Sequence, residues 1–192
     1  MEKVIHIMSI KEKRFNREFY IVDALELAQK LIGKILVFKK KKYRIVEVEA
    51  YRGIEDKASH TYGNRRTKRT EAMYLEGGHV YIYLIYGMYY NLNVVANVKD
   101  VPQGVLIRGV EPLDYIEEKP STNGPGKLCR ELGIDKRHYG LDLVTSDEMY
   151  IIDDDYEFEI VESKRVNIHY AEEYKDKLWR FYIKGNKYVS KR

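Results

Sequence analysis

The sequence predicts a single domain of the α+β class built on a largely antiparallel sheet. Strand-like runs come in pairs joined by short turns, at 34–51 and 79–96. Two segments, 24–31 and 124–132, carry helix start and stop signals. No repeat, linker or low-complexity tract divides the 192 residues. A chain of that length buries a substantial core, and 44% hydrophobic content is ordinary for a globular protein.

The elements follow in order. Residues 1–18 are charged and read as a loosely ordered N-terminal segment, leaving 19–192 as the domain. Asp23 is placed to cap a helix over 24–31, with Leu25, Leu27, Ala28 and Leu31 apolar and Gly33 ending it. Segments 34–38 and 43–51 read as a strand pair across the lysine run 39–42, a solvated turn or a phosphate contact. Residues 52–72 are polar and read as loop with short helical turns. Gly77-Gly78 opens a strand over 79–85, Tyr86-Gly87-Met88 forms a hairpin tip, and 90–96 returns. A further strand covers 105–110. Gly124-Pro125-Gly126-Lys127 starts a helix to Leu132, with Pro125 in its first turn and Gly133 closing it. The remainder, 140–192, reads mainly as β with a polar loop near 170–177.

Charge is segregated more than its net value of +4 suggests. Residues 147–162 hold eight acids and no base, 61–70 hold Arg65, Arg66, Lys68 and Arg69 and no acid, and the stretch from 175 onward holds seven bases against Asp176. Such a distribution suits a polyanion on one side, or simply two solvated faces. No run approaches twenty apolar residues, so no membrane span is expected. The N-terminal residues lack the apolar stretch of a secretory signal. Cys129 is the only cysteine, which rules out an internal disulfide and suits a reducing interior. One cysteine and scattered histidines make no credible zinc set.

Two stretches carry candidate chemistry. In Val46-Glu47-Val48-Glu49-Ala50-Tyr51, strand alternation puts Glu47, Glu49 and Tyr51 on one face. That is either the wet face of a half-buried strand or a carboxylate beside aromatic rings, able to stabilise an oxocarbenium-like sugar or to take a proton from water. In the segment from His79 to Tyr90, Tyr81 and Tyr83 share a face while Tyr86 and Met88 bracket Gly87. The segment is either an aromatic ladder in the core or a hairpin whose bulky tip inserts between stacked bases. His60 reads equally as a structural or a functional histidine.

Together these stretches resemble the alkyladenine (3-methyladenine) DNA glycosylase family. The likeness runs in order through Leu31-Ile32-Gly33-Lys34, Val46-Glu47-Val48-Glu49-Ala50-Tyr51, Ala58-Ser59-His60, Thr67 and Arg69. It continues through Gly78 to Met88, Leu92-Asn93-Val94, Leu106-Ile107-Arg108, Gly124-Pro125-Gly126-Lys127, Arg165 and Trp179-Arg180-Phe181-Tyr182. About 170 of the 192 residues are covered.

The resemblance implies a curved sheet with a protruding hairpin and surrounding helices. It also implies a monofunctional glycosylase that releases alkylated or deaminated purines from double-stranded DNA, without metal or cofactor, as a monomer away from membranes. The implied location is the cytoplasm, at the nucleoid, or the nucleus if the source is eukaryotic. By position, Glu49 is the implied water-activating carboxylate and Arg108 its partner. Tyr51, His60, Tyr83 and Asn93 are the implied base pocket, and Tyr86 the intercalating wedge. Arg65, Thr67, Arg69, Met88, Tyr89 and Lys127 are the implied DNA contacts, with the helix after Gly124 offering its N-terminus to a phosphate. The chain departs from the family pattern at Lys68 and Leu178, where proline is usual, and at Asn167, where glycine is usual. A non-catalytic nucleic-acid-binding module and an enzyme acting on RNA or another N-glycoside are the competing readings.

Overall fold

The computed structural model describes residues 13–115 and 120–191. Eight strands form one antiparallel sheet in the order β3-β4-β5-β2-β1-β6, with β8 on β2 and β7 on β8. The strands are β1 (Ile35–Phe38), β2 (Lys41–Tyr51), β3 (Val80–Ile85), β4 (Tyr89–Ala96), β5 (Gln103–Pro112), β6 (Met149–Ile152), β7 (Ile160–Ser163) and β8 (Arg180–Ile183). Two helices, α1 (Ala24–Leu31) and α2 (Pro125–Leu132), pack on β2 and β4 respectively. The expected α+β class and antiparallel sheet are present.

Both helices begin and end where their caps dictate. The Asp23 carboxylate accepts from Leu25 N at 2.9 Å, satisfying a donor that the first turn leaves open. Ala24, Leu27, Ala28 and Leu31 form the buried face. In α2 Pro125 occupies the first turn and Gly133 ends it in the left-handed region, with φ +72°. The turn between β1 and β2 is made by Lys39 and Lys40, both left-handed at φ +49° and +65°, the geometry of a two-residue hairpin that twists with its strands.

β2 organises the molecule. Tyr43 and Ile45 point into the core, and so do Val46, Val48 and Ala50, although the two sets are out of phase. A pair of compensating bulges reconciles them. Ile45 faces Val110, Glu47 faces Gly109 and Val48 faces Ile107, so Val46 on β2 and Arg108 on β5 have no opposite partner. The sheet also branches here: β1 pairs with the first part of β2 and β8 with Glu47–Glu49. Glu47, Glu49 and Arg108 therefore lie together under the chain that follows β7.

The segment 140–192 is less regular than its expected β character. It holds three four-residue strands and the 3-10 turn Glu172–Asp176, with irregular chain between. Ion pairs add to the ladders that β6 and β8 make with β1 and β2. Asp153 meets Lys34 at 2.5 Å and Asp154 meets Arg44 at 2.7 Å, so part of the acidic run braces the β1–β2 edge. Of the N-terminal segment, residues 1–12 lie outside the described residues. Arg17 is docked, donating to Gly77 O at 2.6 Å and to Asp142 at 2.5 Å.

Candidate active site

Glu47 and Glu49 are completely buried, which removes the wet-face reading of β2. A buried carboxylate is costly unless its oxygens are engaged. Glu49 Oε1 accepts from Val166 N at 2.6 Å, and Oε2 accepts from the Tyr51 hydroxyl at 2.8 Å. Arg108 Nη1 lies 3.5 Å from Oε1. Burial first, and then the Glu49 charge, hold the Tyr51 hydroxyl well above the usual phenol range, so Tyr51 stays a donor.

Beside this carboxylate opens a cleft of about 410 Å³, its mouth included, lined by Tyr51, His60, Tyr81, Tyr83, Asn93, Tyr170 and smaller groups. All four residues expected to form a base pocket are there. The His60 ring meets Tyr83 edge-on with centroids 4.5 Å apart, and its Nδ1 lies 2.9 Å from the Tyr81 hydroxyl. Asn91 donates to the Tyr83 hydroxyl at 2.9 Å, and Asn93 donates to Tyr81 O at 3.1 Å. The walls are thus fixed by bonds among the lining residues and to Asn91.

Burial, with Arg69 and Arg65 adding to it, lowers His60 to about pH 4. The ring is therefore neutral at physiological pH. The same shift ties His60 to stability. Between the unfolded value of about 6.5 and the folded value of about 4, the unfolded chain binds the extra proton. Stability contributed by the neutral ring is complete above that window and is lost as pH falls through it. His60→Asn is expected to flatten the decline in urea midpoint between pH 6.5 and 4. An unchanged slope in the variant would show that other groups cause the decline.

The cleft opens into a groove of about 1050 Å³ bordered by Arg69, Tyr83, Tyr86, Tyr89, Arg108, Gly126 and Asn167. Tyr86 stands at the hairpin tip, 78% exposed. Tyr86 and Gly87 are both left-handed, at φ +52° and +69°. Glycine adopts that region freely, whereas for a bulky side chain it costs about 1–3 kcal/mol. The exposed tip removes the core-ladder reading for Tyr86, while Tyr81 packs in the core as a ladder residue would. The start of α2 packs on the hairpin: a Cβ on Gly126 would sit 3.0 Å from Tyr89 Cβ.

Arg65 and Thr67 line an adjoining cleft with His60, Arg69 and Tyr170. Arg69 lies 5.4 Å over the Tyr83 ring. Met88 borders a separate cleft on the far side of the hairpin, and Lys127 bonds Asn123 at 3.2 Å rather than lining the groove. No group of three or more His, Cys, Asp or Glu that could hold a metal occurs among the described residues.

With this geometry in view, similarity to known proteins is informative. The family model for methylpurine-DNA glycosylase matches residues 18–187. The chain belongs to that family. A candidate 3-methyladenine DNA glycosylase from Clostridium novyi (strain NT) is 54% identical, the match covering 94% of this chain and all of that protein. A counterpart from Clostridium perfringens (strain SM101 / Type A) is 50% identical over 93% of the chain, and one from Borrelia garinii subsp. bavariensis is 50% identical over 92%. The protein is accordingly a DNA glycosylase, a DNA-repair hydrolase acting on N-glycosyl bonds with DNA as its partner. No helix among the described residues is long and apolar enough to cross a membrane.

For a methylpurine-DNA glycosylase the departures are structurally accommodated. Lys68 replaces a proline in a loop that is pinned by Thr67 N to Thr70 Oγ1 at 2.9 Å and by the Tyr139 hydroxyl to Lys68 O at 3.2 Å. Asn167 adopts the left-handed backbone of a glycine, with φ +59°. Four residues to which the sequence reading assigned no role, Arg165 and Arg180 among them as points of likeness only, hold the site together. Arg165 and Asp56 form a fully buried pair at 2.5 and 2.8 Å, joining the loop after β2 to the loop that carries Val166. Tyr170 lines the cleft, and Arg180 donates to Glu47 at 2.8 Å. No periodicity marks Arg165 or Arg180 as interior, because charged residues in short irregular segments look like surface.

Proposed function

We propose that this glycosylase, acting as a monomer, extrudes alkylated or deaminated purines of the 3-methyladenine, 7-methylguanine and hypoxanthine class from duplex DNA. It then hydrolyses the glycosidic bond with a water activated by Glu49, starting base excision repair in the bacterial cytoplasm. The observation that carries the reading is the Glu49 carboxylate, buried beside Arg108 and bonded to a tyrosine that also walls the aromatic cleft.

Extrusion costs a few kcal/mol. Tyr86, projecting beside the cleft mouth, offsets part of that cost by filling the gap in the stack. Arg65, Thr67, Arg69, Met88, Tyr89, Lys127 and the open start of α2 suit the duplex on either side. Tyr51, Tyr83 and the neutral His60 favour a cationic alkylated base, since an electron-rich face attracts a cation by about 0.5–2 kcal/mol. Asn93 lies in the same cleft, where it discriminates by contact with the edge of the base.

Glu49 Oε2 accepts one hydrogen bond and keeps a lone pair for water. As the bond from C1′ to the base nitrogen breaks, its electron pair leaves with the base. A cationic alkylated purine departs neutral, whereas a neutral one such as hypoxanthine requires protonation. The sugar is left with oxocarbenium character that the buried carboxylate stabilises. Water oxygen bonds C1′, its proton passes to Glu49, and an abasic site remains.

The test is single-turnover base release from duplexes bearing a panel of lesions, with a chelator present. Release of 3-methyladenine and 7-methylguanine, and none of undamaged purines, is expected; tight binding with no release from any lesion would refute the proposal. In the same assay Tyr86→Ala should slow release about 10-fold or more, because a base–aromatic stack is worth about 1–3 kcal/mol. An unchanged rate would remove the wedge role.

A further inference from the structure

Glu47 has no part in the chemistry above, yet both of its carboxylate oxygens are engaged in the interior. Like Glu49 it is fully buried and lines neither the cleft nor the groove, but unlike Glu49 it bonds no residue of the cleft wall. Its Oε1 accepts from Arg108 Nε at 3.1 Å and Arg180 Nη1 at 2.8 Å, and its Oε2 accepts from Ser190 N at 2.6 Å. A single arginine would balance its charge, and Arg180 does so. The second guanidinium, Arg108, is the one that also reaches Glu49.

We infer that Glu47 is a positioning residue that divides Arg108 between two carboxylates and so keeps Glu49 available as a base. Arg108 sits at a bulge with no residue opposite it, so strand register does not aim its side chain. Three different groups do. Glu47 takes Nε, Glu49 lies beside Nη1, and Ser190 Oγ accepts from Nη2 at 3.2 Å. The segment at 188–191 closes the arrangement. Ser190 N and Arg180 grip Glu47, Arg180 also donates to Lys191 O at 2.7 Å, and Tyr188 passes so close that a Cβ on Gly109 would lie 2.5 Å from its carbonyl oxygen.

Two carboxylates on one strand face, two residues apart, repel each other, and the arginine they share offsets that repulsion. Around Glu49 the other charged or ionisable groups are Tyr51, Tyr83, Arg108, Arg165 and Tyr170. Removing the Glu47 charge leaves them in place, takes away the repulsion and frees Arg108 for Glu49. The base becomes weaker.

This rests on the water-activating role of Glu49, and the experiment separates the two. Glu47→Gln keeps the shape and removes the charge. The acidic limb of its single-turnover pH–rate profile should move down by about one pH unit. The plateau should fall by about 3- to 10-fold, following the lower basicity, and affinity for an abasic-site analogue should stay within about twofold. A variant with a lower melting temperature but an unmoved limb and an unchanged plateau would reduce Glu47 to fold support and overturn the inference, leaving the role of Glu49 untouched. Should Glu47→Gln fail to fold, Ser190→Ala decides. It removes only the Oγ anchor of Arg108, so release should slow about 5-fold with the limb in place. A wild-type rate would overturn the inference.

Discussion

Glu49→Gln is expected to slow base release by about 10²- to 10⁴-fold, the range a positioned general base contributes, while leaving affinity for an abasic-site analogue largely intact. The substitution is nearly isosteric. A glutamine carbonyl still accepts from Val166 N, so the loop over the site keeps its anchor. What disappears is the proposed proton acceptor and its negative charge. Single-turnover release on a 3-methyladenine duplex, with binding measured in parallel, checks both parts. A variant that releases base at the wild-type rate would remove the proposed mechanism, whereas joint loss of release and binding would point to a collapsed site.

The second large effect concerns stability. Asp56→Ala is expected to destabilise the fold by about 3–5 kcal/mol, because it strands a buried guanidinium. Arg165 is completely buried, lies between the rings of Tyr51 and Trp179 at 4.7 and 4.9 Å, and donates to both Asp56 oxygens and to Ala50 O. For a chain of this size the loss corresponds to a melting temperature lower by about 6–20 °C. Replacing both partners, as Asp56→Leu with Arg165→Met, should cost much less than the single change. Urea denaturation of the single and the double variant gives the comparison. A single variant as stable as the wild type would mean that solvent reaches Arg165.

Much of this was legible in the residues. The caps of both helices, the strand pairs and the tip at Tyr86-Gly87 follow from local chemistry, and each lies within a residue or two of its expected place. The pocket set of Tyr51, His60, Tyr83 and Asn93 came with the family resemblance, and the structure gathers it into one cleft. What stayed hidden depends on pairs distant in sequence. Alternation put Glu47 and Glu49 on one face, but whether that face met water was decided by segments 163–170 and 188–191, which carry no periodic signal. The paired bulges at Val46 and Arg108 were equally invisible, since a bulge is a property of two strands in register. The acidic run suggested a solvated face, and part of it proved to be a brace for Lys34 and Arg44.

That dependence on distant partners has a kinetic consequence. Arg180 and Ser190 lie 133 and 143 residues from the Glu47 they grip, and closing loops of that length is slow. The hairpin of β3 and β4 and the β1–β2 pair need only local contacts. Refolding should therefore recover sheet structure before it recovers catalysis, with a lag between the two signals set by the docking of the last fifteen residues.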